Sequence, residues 1–248
     1  MDKKYALIFA FLIAGLIASN VFIFKSLPAQ AQNRESVVIS RIIDGDTLKL
    51  EDGRTIRLLN VNSPEKGAIG SNLSSEFLKQ FENKSVQIEI TGADKYQRNL
   101  ARIYTPDYIN LILVEQGLAS KFLVQEDELS EFSKAEESAI KNSLGIWKKS
   151  EFFNCLDSSI DKINEKVIIK NSCPEINFNK WFLKDESRKT YTFGNISFEK
   201  IILHSGEGDN NSTDIFWGNE GNIWNNDRDS LYLFDSEGGI ADYETYGY

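Results

Sequence analysis

Apolar and polar positions change rhythm twice along the chain. Between Val37 and Val61 they fall into three short β-like runs, Val37–Ile43, Thr47–Leu50 and Thr55–Val61. Asp44-Gly45 and Asp52-Gly53 separate them, and β-branched runs broken by Asp-Gly predict a hairpin meander. Over 71–82, Leu73, Phe77, Leu78 and Phe81 recur on one helical face, so a helix is expected. Val86–Ile90 alternates as a strand, and Asn99–Tyr104 offers another. Tyr108–Gln116 reads as a short helix ended by Gly117. Glu126–Leu144 reads as a longer one, with Phe132, Ala135, Ala139 and Ile140 inward and Gly145 past its end.

From about residue 155 the helical period disappears. Short β runs at 167–169, 181–183, 191–193, 201–203, 214–217 and 230–234 alternate with Asn, Asp and Gly clusters. The expected class is therefore mixed, mainly β. A five-stranded OB-type barrel with helices covers 36–149, and an antiparallel β-sandwich of six to eight strands covers 155–248.

The N-terminus has a third rhythm. An unbroken apolar run from Tyr5 to Phe24 follows Lys3-Lys4 and precedes Ala29-Gln30-Ala31. About 20 apolar residues suffice to span a bilayer as a hydrophobic helix, while the A-x-A triplet suits signal cleavage. Residues 1–31 thus read either as a cleaved signal peptide or as a retained membrane anchor. Both place the rest of the chain outside the cytoplasm, secreted or anchored.

Composition adds two points. The 248 residues are 41% hydrophobic and 12% aromatic, which excludes wholesale disorder. The net charge of −9 is unevenly spread. Residues 36–149 carry 15 Lys+Arg against 17 Asp+Glu, a net of −2, and residues 155–248 carry 9 against 17, a net of −8. The acidity sits mainly in the second half, which argues against direct nucleic-acid affinity there. Cys155 and Cys173 are the two cysteines and His204 the single histidine, too few for a zinc site. In an exported chain the pair reads as one disulfide.

Candidate chemistry gathers in the first half. Asp44 and Asp46 share a tight turn, Arg57 lies in a strand, and Asn62-Ser63-Pro64-Glu65 follows it. Asp94-Lys95-Tyr96-Gln97-Arg98 forms a charged loop between two strands. Phosphodiester hydrolysis needs an activated water, neutralised phosphate charge and a held substrate. Carboxylates at a turn suit a hard cation, and arginines suit phosphate. Taken singly, each residue is better explained by turn or surface chemistry, about three times in four.

Together they form an ordered set. Val38–Leu48 with its Asp44-Gly45-Asp46, Arg57–Glu65, Asp94–Ala101, Asn110–Ala119 and Leu144–Trp147 resemble, in order and spacing, the motifs of the thermonuclease (micrococcal nuclease-like) family. The resemblance implies a calcium-dependent nuclease hydrolysing DNA or RNA. Asp46, Asn62 and the Ser63 carbonyl would hold one Ca2+. Glu65 would orient or deprotonate water, Arg57 and Arg98 would stabilise phosphate charge, and Lys95 and Tyr96 would hold substrate. Asp44 would support the turn. Two positions depart from the pattern: Asn62 stands where aspartate is usual, weakening the calcium site, and Gln97 stands where glycine is usual.

The second half, 155–248, resembles the lamin-tail domain family, an immunoglobulin-like sandwich. The resemblance rests on Val167–Asn171, Trp181–Asp185, Phe216-Trp217 and Ile223–Asp227. It implies a binding or tethering role toward a partner that the sequence does not name. Trp181, Trp217, Trp224 and His204 read as structural, and Cys155–Cys173 would staple the first strand. Two rival classes stay open: a nucleic-acid-binding barrel that does not cut, which Asn62 favours, and a surface adhesion or assembly protein.

Overall fold

The leading β runs form the meander their Asp-Gly turns predict. Strands β1 (Glu35–Ile42), β2 (Thr47–Leu50) and β3 (Thr55–Leu58) pair antiparallel in succession. The third run is not continuous. It stops at Leu58, Asn60 takes a left-handed φ of 67°, and β4 (Val61–Asn62) leaves to pair with β7 (Ser120–Lys121). Strands β5 (Ser85–Ala93) and β6 (Asn99–Tyr104) pair antiparallel, and β6 lies parallel to β3. The result is a closed barrel of order β1-β2-β3-β6-β5. The computed structural model describes residues 34–248, so the apolar run and its expected helix lie outside the described residues. Among the described residues no helix is long and apolar enough to cross a membrane. Residues Ser36–Tyr248 form one unit.

Three helices pack on the barrel: α1 (Ser71–Lys79), α2 (Ile109–Glu115) and α3 (Leu129–Lys141). Helix α1 ends earlier than its apolar spacing suggests. Phe81 and Glu82 donate to Leu78 and Lys79 in tight turns, and Asn83 turns left-handed. The run from 126 to 144 splits likewise into a single 3-10 turn, Glu126–Glu128, and α3. Alternate strand residues face inward as the two-residue period requires, so Ile39, Leu48, Leu50, Ile56, Leu58, Ile88 and Ile103 join Leu113, Val114 and Phe132 in one core. Each such side chain contributes about 1.5–3 kcal/mol of burial.

The second half supplies β8 (Leu156–Asp161), β9 (Lys166–Asn171), β10 (Phe182–Asp185), β11 (Thr190–Thr192), β12 (Lys200–His204), β13 (Asp214–Phe216), β14 (Asp229–Phe234) and β15 (Ile240–Tyr246). They make two four-stranded sheets, β11-β10-β14-β15 and β13-β12-β9-β8, over a shared core with Trp181 and Trp224 inside. The pairing is not wholly antiparallel as expected: β13 runs parallel to β12. The loop between them covers residues 205–213. Asn210 and Asn211 hold its end by accepting from the Phe216, Thr213 and Asp214 N–H groups. Cys155 and Cys173 are joined in a disulfide across the ends of β8 and β9.

The barrel and the sheets meet over Ala139, Ile140, Trp147, Tyr232, Phe234 and Ile240. Buried Lys121 is the polar centre of this contact. It pairs with Glu136 and donates to Ser230 Oγ at 2.9 Å, while Tyr232 donates to the same Glu136 carboxylate at 2.8 Å.

Candidate active site

The Asp44-Gly45-Asp46 turn joins β1 to β2 and lies against the loop after β4. The Asp46 N–H donates to Asp44 Oδ1 at 3.0 Å, which fixes the turn. Gly45 is there for room. A Cβ on it would sit 2.7 Å from both the Ser63 and Ser74 side chains, so only glycine lets the turn close on Ser63.

Asp46 is buried. Its Oδ2 accepts from the Ser63 N–H and Ser63 Oγ, each at 3.0 Å, and lies 3.2 Å from Arg57 Nη2. Its Oδ1 accepts from Thr47 Oγ1 at 3.1 Å. Burial pushes its carboxyl pKa upward. Arg57, the Ser63 donors and Arg188 together outweigh burial and hold it below the usual range. Asp44 goes the other way, raised by burial and then by the like charge of Asp46.

Arg57 comes from β3, opposite Thr47. Its Nη1 donates to the Leu58 and Val61 carbonyls at 2.7 Å each, and Nη2 to Asn62 Oδ1 at 3.1 Å. With the Asp46 contact, its four Nη hydrogens are committed within the protein. Arg98, from the β5–β6 turn, is bound by Asp94 through Nε and Nη2 at 2.7 Å each, and Nη1 reaches Thr47 Oγ1 at 3.3 Å. Thr47 thereby links Arg98 to Asp46. Tyr96 is exposed, with Lys95 Nζ 5.1 Å and the Arg98 guanidinium 5.4 Å from its ring centre. Gln97 takes a φ of 65°, the left-handed conformation that favours glycine.

The fold thus joins Asp46, Asn62, Ser63 and Arg57 by direct contacts and Arg98 through Thr47, while Glu65 follows two residues after Ser63 with its side chain exposed. Among the described residues, Lys95 and Tyr96 are tied to the set only by the contact of Tyr96 with Arg98. A neighbour that sequence reasoning did not single out completes the site. Arg188, on the β10–β11 turn of the second half, donates from Nη1 to the Ser63 carbonyl at 2.9 Å and pairs with Glu65 Oε1 at 2.9 Å. The same turn is pinned by Asn62 Nδ2, which donates to the Glu186 carbonyl at 3.1 Å. A turn between two predicted strands was visible in the sequence. Its facing the barrel was not, because 125 residues separate Arg188 from Ser63.

The oxygens expected to hold a calcium ion are gathered, yet they do not fit one as folded. Asp46 Oδ2 receives three donors, Asn62 Oδ1 receives Arg57, and the Ser63 carbonyl receives Arg188. The cations these oxygens meet are the guanidinium groups of Arg57 and Arg188, where a hard cation would need the oxygens free. Among the described residues no three His, Cys, Asp or Glu side chains converge as a metal-binding group.

Residues 55–149 match the family described as staphylococcal nuclease homologue. The chain is 31% identical over 158 residues to an uncharacterized endonuclease of Haemophilus influenzae, covering 61% of this chain and 86% of that one. It is 32% identical over 133 residues to the thermonuclease of Staphylococcus intermedius, covering 46% and 77% respectively. An uncharacterized endonuclease of Escherichia coli O157:H7 is 33% identical over 87 residues, which span 33% of this chain and 57% of that relative.

Proposed function

The chain belongs to the family of staphylococcal nuclease homologues and is a nuclease that hydrolyses phosphodiester bonds; from that premise we propose how its site works and where. The observation that supports the reading is a chain of contacts: Arg57 pairs with Asp46, Thr47 links Asp46 to Arg98, and Arg188 ties Glu65 to the Ser63 carbonyl beside them. Glu65 is the exposed carboxylate, able to orient and deprotonate a water for in-line attack on phosphorus. Arg98, held next to Asp46 through Thr47, stabilises charge building on the phosphate. Arg57 is a positioning residue, holding Asp46 and Asn62 in place and adding its charge from behind. Lys95 and Tyr96 meet the flanking nucleotide, Tyr96 by stacking on a base.

DNA and RNA are both substrates on this reading. The calcium ion implied by the family resemblance would need Arg188 to leave the Ser63 carbonyl, so no step here runs through a metal. Localisation outside the cytoplasm is supported by the apolar N-terminal run and by the Cys155–Cys173 disulfide, since disulfides persist in oxidising compartments. For the paired sheets of the second half we propose the binding or tethering role that the lamin-tail resemblance implies.

The test is cleavage of single-stranded DNA and RNA by the full chain and its Glu65→Gln and Arg98→Ala variants. Glu65→Gln is expected to lower kcat by about 10²–10⁴-fold without changing the melting temperature, because the side chain is exposed. Undiminished cleavage by a variant carrying both Glu65→Gln and Arg98→Ala would overturn the residue assignment. Oligonucleotide binding without cleavage by the wild type would favour the non-catalytic barrel instead.

A further inference from the structure

Three guanidinium groups surround the site, and they differ in what they can still offer. Arg57 is 6% exposed with its Nη hydrogens committed. Arg98 spends one hydrogen of each nitrogen on Asp94 and Thr47, which leaves one on each Nη for a phosphate. Arg188 uses Nη1 alone, on the Ser63 carbonyl and Glu65. Among the described residues its Nε and Nη2 make no hydrogen bond, and its side chain is 33% exposed. Two parallel N–H groups left free are what bidentate phosphate recognition uses.

The turn that carries Arg188 is built. Buried Asp185 accepts from the Lys189 N–H at 2.7 Å and from Ser187 Oγ at 2.6 Å, and the Arg188 N–H donates to the Asp185 carbonyl at 3.2 Å. Arg188 itself holds a φ of 76°, where glycine or asparagine is the usual choice. A strained arginine on a fixed turn, aimed at another element's carbonyl, marks a position where the side chain matters. Asn62 contributes a second anchor, since only its amide N–H can donate to the Glu186 carbonyl. Beside Arg188 a cleft of about 370 Å³ opens between the halves, bordered by Glu65, Ile69, Phe182, Lys184 and Phe234. Lys184 stands in it over the Phe182 and Phe234 rings, 5.7 and 4.7 Å from their centres, with no carboxylate partner among the described residues. Arg188 and Lys184, each with donors to spare, line this cleft of ligand size together with the carboxylates Glu65, Asp185 and Glu186, of which Glu65 is paired with Arg188 and Asp185 is taken up by its own turn.

We propose that Arg188 is a phosphate-binding residue of the nuclease site, lent by the second half of the chain, and that its guanidinium holds the place beside Ser63 that a divalent cation would otherwise take. The strand bound at the scissile phosphate continues into the cleft, where Lys184 meets the next phosphate. This rests on the nuclease reading above, but it concerns which groups hold the substrate rather than which group attacks. A divalent ion and Arg188 then compete for one set of oxygens.

The test uses the full chain with Arg188→Ala, Arg188→Lys, Arg188→Gly and Lys184→Ala, each alone and combined with Glu65→Gln so that binding is read without cleavage. A fluorescent single-stranded oligonucleotide reports Kd, and calorimetry with calcium chloride alone reports metal affinity. Arg188→Gly keeps the left-handed turn unstrained, and melting curves confirm that it folds. Oligonucleotide affinity should fall about tenfold in Arg188→Ala and Arg188→Gly, less in Arg188→Lys, with KM rising more than kcat falls. Lys184→Ala should weaken binding severalfold. Calcium should bind Arg188→Gly at least tenfold more tightly than the wild type. Unchanged oligonucleotide affinity would overturn the phosphate role, and unchanged calcium affinity would overturn the competition. Faster cleavage in both Arg188→Ala and Arg188→Gly would make Arg188 an obstructing contact and overturn the proposal outright. Full activity in Glu65→Gln would instead strike at the choice of base, and affinity would then be read on a cleavage-resistant phosphorothioate oligonucleotide, where an unchanged Kd in Arg188→Gly would still overturn the phosphate role.

Discussion

At the scale of single residues, local chemistry and local geometry agree almost everywhere near the site, and one disagreement is measurable. Gln97 occupies a left-handed turn position between Asp94 and Arg98, where Asp94 Oδ1 accepts from both the Tyr96 and Arg98 N–H groups. Those bonds hold the turn against the cost of a Cβ at positive φ, about 1–2 kcal/mol. Gln97→Gly should therefore stabilise the folded chain by up to about 1 kcal/mol, the rest being lost to the freer unfolded chain. Urea denaturation reads this directly, and a destabilised variant would show that the Gln97 side chain makes its own contribution. Asp44, Asp46, Arg57 and Glu65 were legible as a group because each lies within a short motif. Their geometry differs from the expectation at Arg57, whose donors serve the protein, a consequence of its nearly complete burial.

At the scale of elements, strands with a strong two-residue rhythm were visible and weaker ones were not. Strands β8 and β15 escaped notice because Leu156–Asp161 and Ile240–Tyr246 alternate faintly, with half-buried polar residues in place of apolar ones. The polar residues of these two strands do join them. Asp242 on β15 accepts from the Ser158 N–H on β8 at 2.7 Å, linking one sheet to the other. Burial raises the Asp242 pKa to about 6, with the Ser158 bonds opposing and the charge of Asp157 assisting. A carboxyl whose pKa is higher folded than unfolded favours the folded state below the unfolded value, and that favour is lost as pH rises through the folded value. Stability from this group is thus full below about pH 4 and gone above about pH 6–7. Asp242→Asn should flatten the thermal stability profile between pH 4 and 7 by on the order of 1–3 kcal/mol. An unchanged slope would put the pH dependence elsewhere.

At the scale of the whole molecule, the two halves share a buried polar centre as well as an apolar seam. Lys121 belongs to the barrel side, and its partners Ser230 and, through Glu136, Tyr232 belong to the second half. Removing one member of a buried ion pair leaves an uncompensated charge, at a cost of about 3–5 kcal/mol. Lys121→Ala should lower the melting temperature of the full chain while keeping a single cooperative transition. Two separate transitions in the wild type would mean that the halves unfold independently. The same contact sets the site, because the turn carrying Arg188 reaches Ser63 only while the sheets are seated on the barrel.

The sequence by itself determined the strand rhythm of the barrel, the turn at Asp44–Asp46 and the short motifs that carry Arg57, Glu65 and Arg98, since each depends on neighbours a few residues away. It also set the nuclease reading, through motifs whose order and spacing are local properties. The tertiary structure alone decided which oxygens remain open for a cation and which guanidinium groups have donors to spare. Those answers depend on a hydrogen bond from Arg188 to a carbonyl 125 residues earlier, and no pattern along the chain encodes a contact made only when two sheets and a barrel pack together.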